Sequence, residues 1–514
     1  MSKTIIIIGA GLAGLSAALQ AAENGCNVKL VSSLPSERAQ SVMAEGGINA
    51  ALNTKDENDS PEEHFTDTIK AACGLADPNA VWGMTQAAPE LVHWLLKLGV
   101  KFNMSGYDDV DLRNFGGQKK KRTAFAQSDT GKQIMTAMID AVRRKEASGM
   151  VERFSHHSFL TLRLCGNICC GCVIRDEYSQ ETVELPGDAV IVATGGMHGL
   201  FGNTTGSLSN TGEVTAELFR LGVPLANGEM IQYHPTTVKC GGKRMLISEA
   251  ARGEGGRLFA MKDGKQWYFM EEKYPELGNL MSRDITAREI WKVSHESEVF
   301  LDMTEISEEI ISNKLSGLAD DCMTYLHKDI RKEPVSVLPG IHYFMGGILV
   351  DEQHRTPIQN LYAAGECCAQ YHGANRLGGN SLLGALYGGR VAAKSACEQA
   401  DVVDLSCATQ IDFPPASQIS EIKQLNKVMQ ETMGVVRNEN TLLNGIRTVQ
   451  ALTGNLPLLG MAVLKSALAR KESRGAHWRE DYPKSNDDDY LKTTVARFDG
   501  KQIQISFVPV PERR

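Results

Sequence analysis

The sequence predicts an α/β fold in which a Rossmann-like dinucleotide-binding domain is interrupted by an inserted α+β capping domain and followed by a helical C-terminal domain. Three observations predict it: a glycine-rich strand–turn–helix at the start, two similar buried strands far downstream, and a helical periodicity near the end. We assign residues 1–216 and 341–405 to the dinucleotide-binding domain, 217–340 to the capping domain and 416–514 to the helical domain.

The first element is a β-α-β unit. The run TIIII at residues 4–8 is β-branched and almost wholly apolar, as expected for a parallel strand that is covered on both faces. The letters GAGLAG follow at once and place glycines at Gly9, Gly11 and Gly14, before a helical pattern and a second strand. These glycines permit a tight turn, a close approach to a pyrophosphate and close helix–strand packing. Dinucleotide binding is therefore predicted, although Ser32 follows the second strand where an acidic residue usually contacts the ribose.

Two later segments complete the same domain. The letters AVIVATGG from Ala189 predict a buried strand that ends in a glycine turn, and LYAAGE from Leu361 has the same form. Between them, from about Glu217 to Gly340, the sequence changes to mixed strands and polar helices with its own glycine-rich turn. This change predicts the inserted capping domain.

The end of the chain has a different pattern. After the letters DFPP at residues 412–415 it becomes largely helical, with Ile419, Ile422, Leu425 and Val428 forming one apolar stripe. These residues predict a separate helical domain.

The composition excludes several classes of protein. The chain has 514 residues, of which 42% are hydrophobic and 23% charged, and a formal net charge of −8. Such values are typical of a globular protein, and the negative charge argues against a nucleic-acid partner. The apolar run from Ile5 to Ile8 is far shorter than the roughly 20 residues of a membrane span, and no signal peptide is predicted. We expect a cytoplasmic protein, or one that reaches the membrane surface through a partner.

Four cysteines lie close together at Cys165, Cys169, Cys170 and Cys172. They flank a predicted turn between two strands and lack the CxxC pairs of a zinc or iron–sulfur site. We therefore predict buried strand cysteines and no metal.

Three segments resemble a known family. They are SVMAEGGINA from Ser41, QYHPT from Gln232 and HGANRLGGNSL from His372, and together they resemble the flavoprotein subunits of fumarate reductase and succinate dehydrogenase, in the superfamily of L-aspartate oxidase. The resemblance extends from Ile5 to about Pro483, where ESRGAH and EDYP fit the family's helical domain. It implies FAD as the cofactor rather than NAD.

The glycine turn and the resemblance together assign a set of residues to FAD. The candidate FAD-binding residues are Gly9, Gly11, Gly14, Ser32, Ser41, Gly46, Gly47, Ala193, Thr194, Gly195, Glu366, Asn380, Ser381 and Leu382. In covalent members of the family a histidine binds the flavin, and the matching residue is Gln40. An amide nitrogen is not nucleophilic, so we expect non-covalent FAD. In the family, loss of that bond lowers the flavin potential and favours fumarate reduction over succinate oxidation.

Basic and imidazole groups are spread over three separated segments, at His234, at Arg252 and Arg283, and at His342 and Arg376. Arg376 is flanked by glycines, so its guanidinium could bind a carboxylate in bidentate fashion across bare backbone. His342 lies where the capping domain would rejoin the dinucleotide-binding domain, and such junctions commonly form small-molecule clefts.

The resemblance implies a dicarboxylate clamp. The residues that match its ligands to the carboxylates of fumarate or succinate are His234, Ser248, His342 and Arg376. It further implies that Phe115, Gly116, Gly117 and Gly47 line the site.

The resemblance also implies the reaction. Hydride passes from flavin N5 to fumarate, and the residue that matches the family's proton donor is Arg283, supplied by a relay through Glu249 and Arg252. An arginine is a difficult acid because its pKa exceeds about 12, and rapid reprotonation by the relay would ease the transfer. The alternative is that Glu249 and Arg252 are only a surface ion pair.

Rival functions stay open at this point. L-Aspartate oxidase shares the fold, but in its pattern the counterpart of Phe115 is acidic and can meet an amino group. An electron-transferring subunit of a larger complex, with an iron–sulfur or other electron-donor partner, and a module that holds FAD without turnover are further alternatives. The chain ends at Arg514, earlier than many members of membrane complexes, and this puts docking to an iron–sulfur subunit in question.

Overall fold

The computed structural model describes residues 2–106, 109–400, 413 and 418–514. Its central element is a parallel five-stranded sheet in which Ile5 lies opposite Ala189 on one side and Val28 on the other. The strands, in spatial order, are Leu361–Ala363, Ala189–Val192, Thr4–Ile8, Asn27–Ser32 and Val151–Ser155. The two late strands therefore join the first β-α-β unit, which confirms the predicted α/β fold class.

Both faces of this sheet are covered, which explains why its first strand is apolar throughout. Helices Leu12–Glu23, Thr130–Ala147 and Asn380–Gln399 pack on one face. An antiparallel sheet packs on the other; its strands are His157–Cys165, Ile168–Asp176 and Thr182–Pro186. Cys169, Cys170 and Cys172 are buried on its middle strand, as the sequence predicted. Cys165, which was predicted with them, is only half-buried, because it ends the first strand beside the exposed turn at Gly166.

The segment between the late strands forms two further sheets. The strands of the first are Lys243–Leu246, Ile231–Cys240 and Leu338–Phe344, and those of the second are Lys265–Trp267, Arg257–Lys262, Val299–Asp302 and Val335–Ser336. Its hydrophobic core includes Leu258, Phe269 and Leu301, and Phe115 from the N-terminal part of the chain also packs there. A small sheet beside the cavity contains Ile48–Asn49, Thr123–Ala124 and Leu112–Arg113.

The chain enters and leaves this segment side by side. Leu225–Ala226 pairs antiparallel with Gly347–Leu349, with Leu225 opposite Ile348. We call this pair the neck. Cys368–Ala369 extends the same sheet on one side.

The helices Ile419–Thr432, Glu439–Val449 and Asn455–Ala469 pack around a common core that contains Leu425. Ile419 was predicted on the buried stripe but is 74% exposed, because it begins its helix and lies outside that core. The predicted domain boundary at 405–416 falls almost wholly outside the described residues, and the division into domains stays a prediction.

A C-terminal hairpin was not predicted. Lys492–Phe498 and Ile503–Pro509 pair antiparallel, and the first strand adds to the neck sheet with Ala496 opposite Leu225. The alternating apolar and polar residues around the turn that contains Gly500, whose φ is +89°, are a hairpin signal in the sequence.

The remaining helices join these layers. They are Pro61–Ala71, Pro78–Lys97, Glu213–Arg220, Glu249–Gly253, Phe269–Lys273, Arg283–Val293, Glu308–Lys314, Ser316–Asp321 and Asp487–Tyr490. Within the described part of the chain, none of the helices combines the length and the apolar character that crossing a membrane requires.

Candidate active site

A cavity of about 1110 Å³ lies between the carboxyl edge of the parallel sheet and the segment between the late strands. One end is formed by the glycine turn after the first strand and by the turn at Thr194 and Gly195. The other end is formed by His234, Ser248 and Arg376. We call these the nucleotide end and the substrate end.

Glycines shape the nucleotide end, because they have no side chain. A Cβ on Gly9 would lie 2.2 Å from the Ala193 carbonyl oxygen, and one on Gly14 would lie 1.8 Å from the Gly9 carbonyl oxygen. Gly11 faces the cavity, and a Cβ there would meet Ser41 Oγ only at 3.7 Å. It is also the N-cap of helix Leu12–Glu23 and makes no side-chain cap; the N–H of Leu12 donates to Ser41 Oγ (3.2 Å), and Leu12 and Ala13 line the cavity. This arrangement fits the pyrophosphate of a dinucleotide.

Most of the residues predicted to bind FAD line the cavity. Those that do are Gly9, Gly11, Ser32, Ser41, Gly46, Gly47, Ala193, Thr194, Gly195, Glu366, Ser381 and Leu382. Gly14 lies behind the turn. The side chain of Asn380 is buried away from the cavity, where Nδ2 donates to Thr68 Oγ1 (3.0 Å) and Oδ1 accepts from Asn49 Nδ2 (2.7 Å). Gln40 lines the cavity, and its Oε1 accepts from the Ser207 N–H (2.5 Å).

At the substrate end, several polar groups face the cavity without a partner in the protein. His234 Nε2 and Arg376 Nε are buried and make no hydrogen bond. The rings of His234 and His342 contact edge to face, with centroids 5.2 Å apart, and His342 Nδ1 lies 2.8 Å from Thr205 Oγ1. The Arg376 guanidinium carbon lies 4.3 Å from the centre of the Tyr343 ring. Buried polar groups require hydrogen bonds, so this geometry is suited to a polar ligand.

The three residues of the predicted relay are in contact. Glu249 Oε2 accepts from Arg283 Nε (2.8 Å) and Nη2 (2.5 Å), and Glu249 Oε1 lies 3.4 Å from Arg252 Nη2. The Gly116 N–H also donates to Glu249 Oε1 (3.1 Å). The side chains of Glu249 and Arg252 are 2% and 0% exposed, so the surface-ion-pair alternative is wrong.

Phe115 closes one side of the substrate end. A Cβ on Gly46 would lie 3.1 Å from the Phe115 ring, and one on Gly378 would lie 3.0 Å from it. The ring therefore packs between the first and the third family-like segments. Gly47 lines the cavity beside it. Gly116 and Gly117, which were also predicted to line the site, and Arg252 are not among the residues that line the cavity.

Burial and charge set the protonation states at this end. Burial and the charge of Arg283 lower the pKa of His234 and of His342 well below the ordinary value, so both imidazoles are neutral. Burial raises the pKa of Glu249, but Arg283 and Arg252 together outweigh it, and the net pKa is lowered. Burial and Arg283 lower the pKa of Arg376 to about 9.

The charges of this cluster do not balance. Three buried guanidinium groups, those of Arg252, Arg283 and Arg376, are matched by two carboxylates, because Glu249 contacts Arg252 and Arg283 and the charge of Glu366 acts on Arg376. Buried charge that lacks a counter-charge is costly. A bound anion would supply that counter-charge.

Two contributing residues were missed by the sequence analysis. Gln232 Oε1 accepts from Arg283 Nη1 (3.0 Å), while its Nε2 donates to the Arg376 carbonyl oxygen (2.8 Å). Its position two residues before His234, in the same motif, is a signal that could have identified it. Asn279, whose carbonyl oxygen accepts from Arg252 Nη1 (2.7 Å), has no comparable signal.

Comparisons with known proteins agree with this geometry. A family model described as "FAD binding domain" matches residues 4–382, and one described as "Fumarate reductase flavoprotein C-term" matches residues 452–513. The chain is 38% identical to the succinate dehydrogenase flavoprotein subunit of Bacillus subtilis, covering 100% of this chain and 98% of that protein. It is 32% identical to the 8-methylmenaquinol:fumarate reductase flavoprotein subunit of Wolinella succinogenes, covering 100% and 92%.

The fold comparison leads to the same family. A variant of the E. coli quinol fumarate reductase superposes with a TM-score of 0.90 at 27% identity, covering 99% of this chain and 97% of that one. The match over residues 4–382 includes nearly all of the residues that line the cavity. The chain is an FAD-dependent oxidoreductase and belongs to the family of succinate dehydrogenase and fumarate reductase flavoprotein subunits.

Proposed function

We propose that the protein reduces fumarate to succinate, with the reverse reaction disfavoured. The observation that carries this proposal is the charge imbalance at the substrate end, where three buried arginines face two carboxylates, those of Glu249 and Glu366, beside the FAD cavity. A small dianion would neutralise the excess charge and satisfy the unpartnered donors.

Four side chains hold the two carboxylates in this proposal. Neutral His234 and His342 can each donate one N–H, Ser248 donates its hydroxyl, and Arg376 presents a guanidinium whose Nε has no partner in the protein. Phe115 packs against the carbon skeleton and excludes water from the reacting atoms.

FAD, when bound, supplies the hydride. Arg283 gives a proton to the other carbon, and its contact with Glu249 allows it to be reprotonated at once. Arg252 is the next member of the proton relay after Glu249, and its guanidinium donates to the Asn279 carbonyl oxygen. The Gln232 amide fixes the orientation of the Arg283 guanidinium toward the clamp.

The direction of the reaction and the partner also form part of the proposal. Gln40 stands where covalent members carry a histidine, which supports non-covalent FAD and fumarate reduction. Two relatives are named flavoprotein subunits, which supports an iron–sulfur or other electron-donor subunit as a partner, in the cytoplasm or at the membrane surface.

The test is anaerobic and uses flavin absorbance. Protein reduced with dithionite is mixed with fumarate, and oxidised protein is mixed with succinate or with aspartate. We expect fumarate to reoxidise the flavin, succinate to reduce it more slowly and aspartate to leave it unchanged. If kcat/KM for aspartate oxidation were comparable to that for fumarate reduction, the protein would be an aspartate oxidase. If neither fumarate nor succinate changed the flavin absorbance, the proposal would be refuted.

A further inference from the structure

Thr205 contacts one of the clamp histidines, and the proposed mechanism gives it no role. It belongs to a loop, residues 204–207, and lines the cavity wall. Its N–H donates to the Ile341 carbonyl oxygen (3.0 Å), and Ile341 directly precedes His342 in the strand Leu338–Phe344. Its Oγ1 lies 2.8 Å from His342 Nδ1. Thr205 is therefore joined both to the main chain beside this histidine and to its ring.

The loop that carries Thr205 is held in place by other groups as well. The Ser207 N–H donates to Gln40 Oε1 (2.5 Å), which ties the loop to the opposite wall of the cavity. Thr204 Oγ1 accepts from the Gly206 N–H (3.2 Å), and this bond closes the turn within the loop. The Thr205 hydroxyl is thus presented from a main chain that is fixed on either side of it.

The distances around Thr205 determine where its hydroxyl hydrogen points. Two acceptors are close to Oγ1, namely His342 Nδ1 at 2.8 Å and the Ile341 carbonyl oxygen at 3.4 Å. An O–H···O hydrogen bond is rarely longer than about 3.0 Å, and that carbonyl oxygen already accepts from the Thr205 N–H. The hydroxyl hydrogen therefore points to Nδ1. Because a neutral imidazole has only one ring hydrogen, that hydrogen is on Nε2 of His342.

We propose that Thr205 is a positioning residue that selects the tautomer of His342, an inference that rests on the proposed function. While Nδ1 accepts from Thr205, Nε2 carries the ring hydrogen and can donate it to a substrate carboxylate. The other tautomer would turn a lone pair of Nε2 toward that carboxylate, and two acceptors cannot form a hydrogen bond. The Thr205 hydroxyl thus makes His342 a donor to the dicarboxylate.

The test measures the dissociation constant of succinate from the flavin absorbance of the oxidised holoenzyme. Thr205→Val keeps the shape of the side chain and removes the hydroxyl, so the constant should rise about fivefold, as expected for the loss of one hydrogen bond. Thr205→Ser retains the hydroxyl and should stay within about twofold of the wild type. All three proteins should contain the same amount of FAD. A serine variant that binds as weakly as the valine variant would contradict the role of the hydroxyl.

Thr204→Val is the matched control for Thr205→Val. Thr204 is the preceding residue of the same loop, but its hydroxyl lies 3.0 Å from His198 Nδ1 and not beside His342. It should leave the succinate constant within about twofold of the wild type. An equal loss of affinity in the two valine variants would mean that the shape of the loop matters and not the Thr205 hydroxyl, and would overturn the inference.

A second background tests whether the effect passes through His342. In His342→Ala no ring remains to be oriented, so the further change Thr205→Val should alter the succinate constant by less than about 1.5-fold. A fivefold rise in this background too would show that Thr205 acts on binding by another route, and the inference would fail.

The outcomes separate this inference from the proposed function. If the wild type binds no succinate and does not reduce fumarate, the proposed function fails. If the wild type binds and reduces normally but Thr205→Val binds succinate as tightly as the wild type, the role assigned to Thr205 is overturned and the proposed function stands.

Discussion

The two ends of the cavity are built by different means. The nucleotide end consists largely of backbone, and its shape depends on glycines such as Gly9 and Gly14 that leave no room for a Cβ. The substrate end consists of buried ionisable side chains, with Glu249 between two arginines and two neutral histidines beside them. Neutral N–H groups would hold the phosphates of FAD at one end, whereas full charges face the cavity at the other.

Because of this difference, the two ends tolerate different amino-acid substitutions. A substitution at the nucleotide end acts through volume, so its cost depends on the distance from the new atom to its neighbour. A substitution at the substrate end acts through charge, and its effect extends to every ionised neighbour. Substitutions at the nucleotide end should therefore abolish activity because the protein lacks FAD or unfolds. Substitutions at the substrate end should abolish activity in folded protein that still holds FAD.

The largest effect is expected from Arg283→Ala. Loss of the proton donor should lower kcat for fumarate reduction by about 10²–10⁴-fold, a range typical of general acid catalysis. KM should change little, because the clamp is carried by other residues. Stopped-flow and steady-state kinetics, with the FAD content of the variant, check this.

Arg288→Ala is the matched control for that variant. Arg288 lies on the same helix, Arg283–Val293, but its guanidinium packs on Trp478 outside the cavity. It should keep nearly normal kcat. A near-normal kcat with a raised KM in Arg283→Ala would instead make Arg283 a binding group.

The next largest effects should separate two glycines of one turn. In Gly14→Ala the new Cβ would lie 1.8 Å from the Gly9 carbonyl oxygen, which should cost about 3 kcal/mol of stability. In Gly11→Ala the nearest atom lies at 3.7 Å and φ is −78°, so the fold should survive. The methyl group faces the cavity, however, and should weaken FAD binding about tenfold or more.

Thermal unfolding of the apoprotein and FAD titration measure these two losses separately. A Gly14→Ala variant as stable as the wild type would contradict the conclusion that this site requires glycines. A Gly11→Ala variant with unchanged FAD affinity would contradict it too.

The smallest effect concerns the bond to the flavin and not activity. Because the Gln40 amide is not a nucleophile, acid precipitation should release all of the flavin into the supernatant. The absorbance of pellet and supernatant after trichloroacetic acid measures it. Flavin retained in the pellet would show a covalent link and would remove one reason for favouring fumarate reduction.

The nucleotide end could be predicted from the sequence because its determinants are local. The run at residues 4–8 and the three glycines that follow fix strand, turn and helix within a short stretch. The exposed Ile419 shows the limit of periodicity, which identifies a helix face but not how far that face is covered. The hairpin after Lys492 was missed because its short alternating strands are a weaker signal than the helices before it.

The substrate end could not be derived from spacing. Arg283 and Arg376 meet only through tertiary contacts, and their roles came from the family resemblance. Gln232 was missed because an amide side chain in a sequence does not indicate which groups it will hydrogen-bond.

The neck has a consequence for the history of this fold. Because Leu225 pairs directly with Ile348, the two ends of residues 227–346 lie side by side in the neck sheet. This pairing closes a long loop, and the entropic cost of loop closure grows only slowly with loop length. The C-terminal strand stabilises the closed arrangement, because Ala496 also pairs with Leu225. A segment whose two ends meet in one sheet can be replaced as a unit, so related proteins could differ throughout residues 227–346 and keep the glycine turn of the nucleotide end.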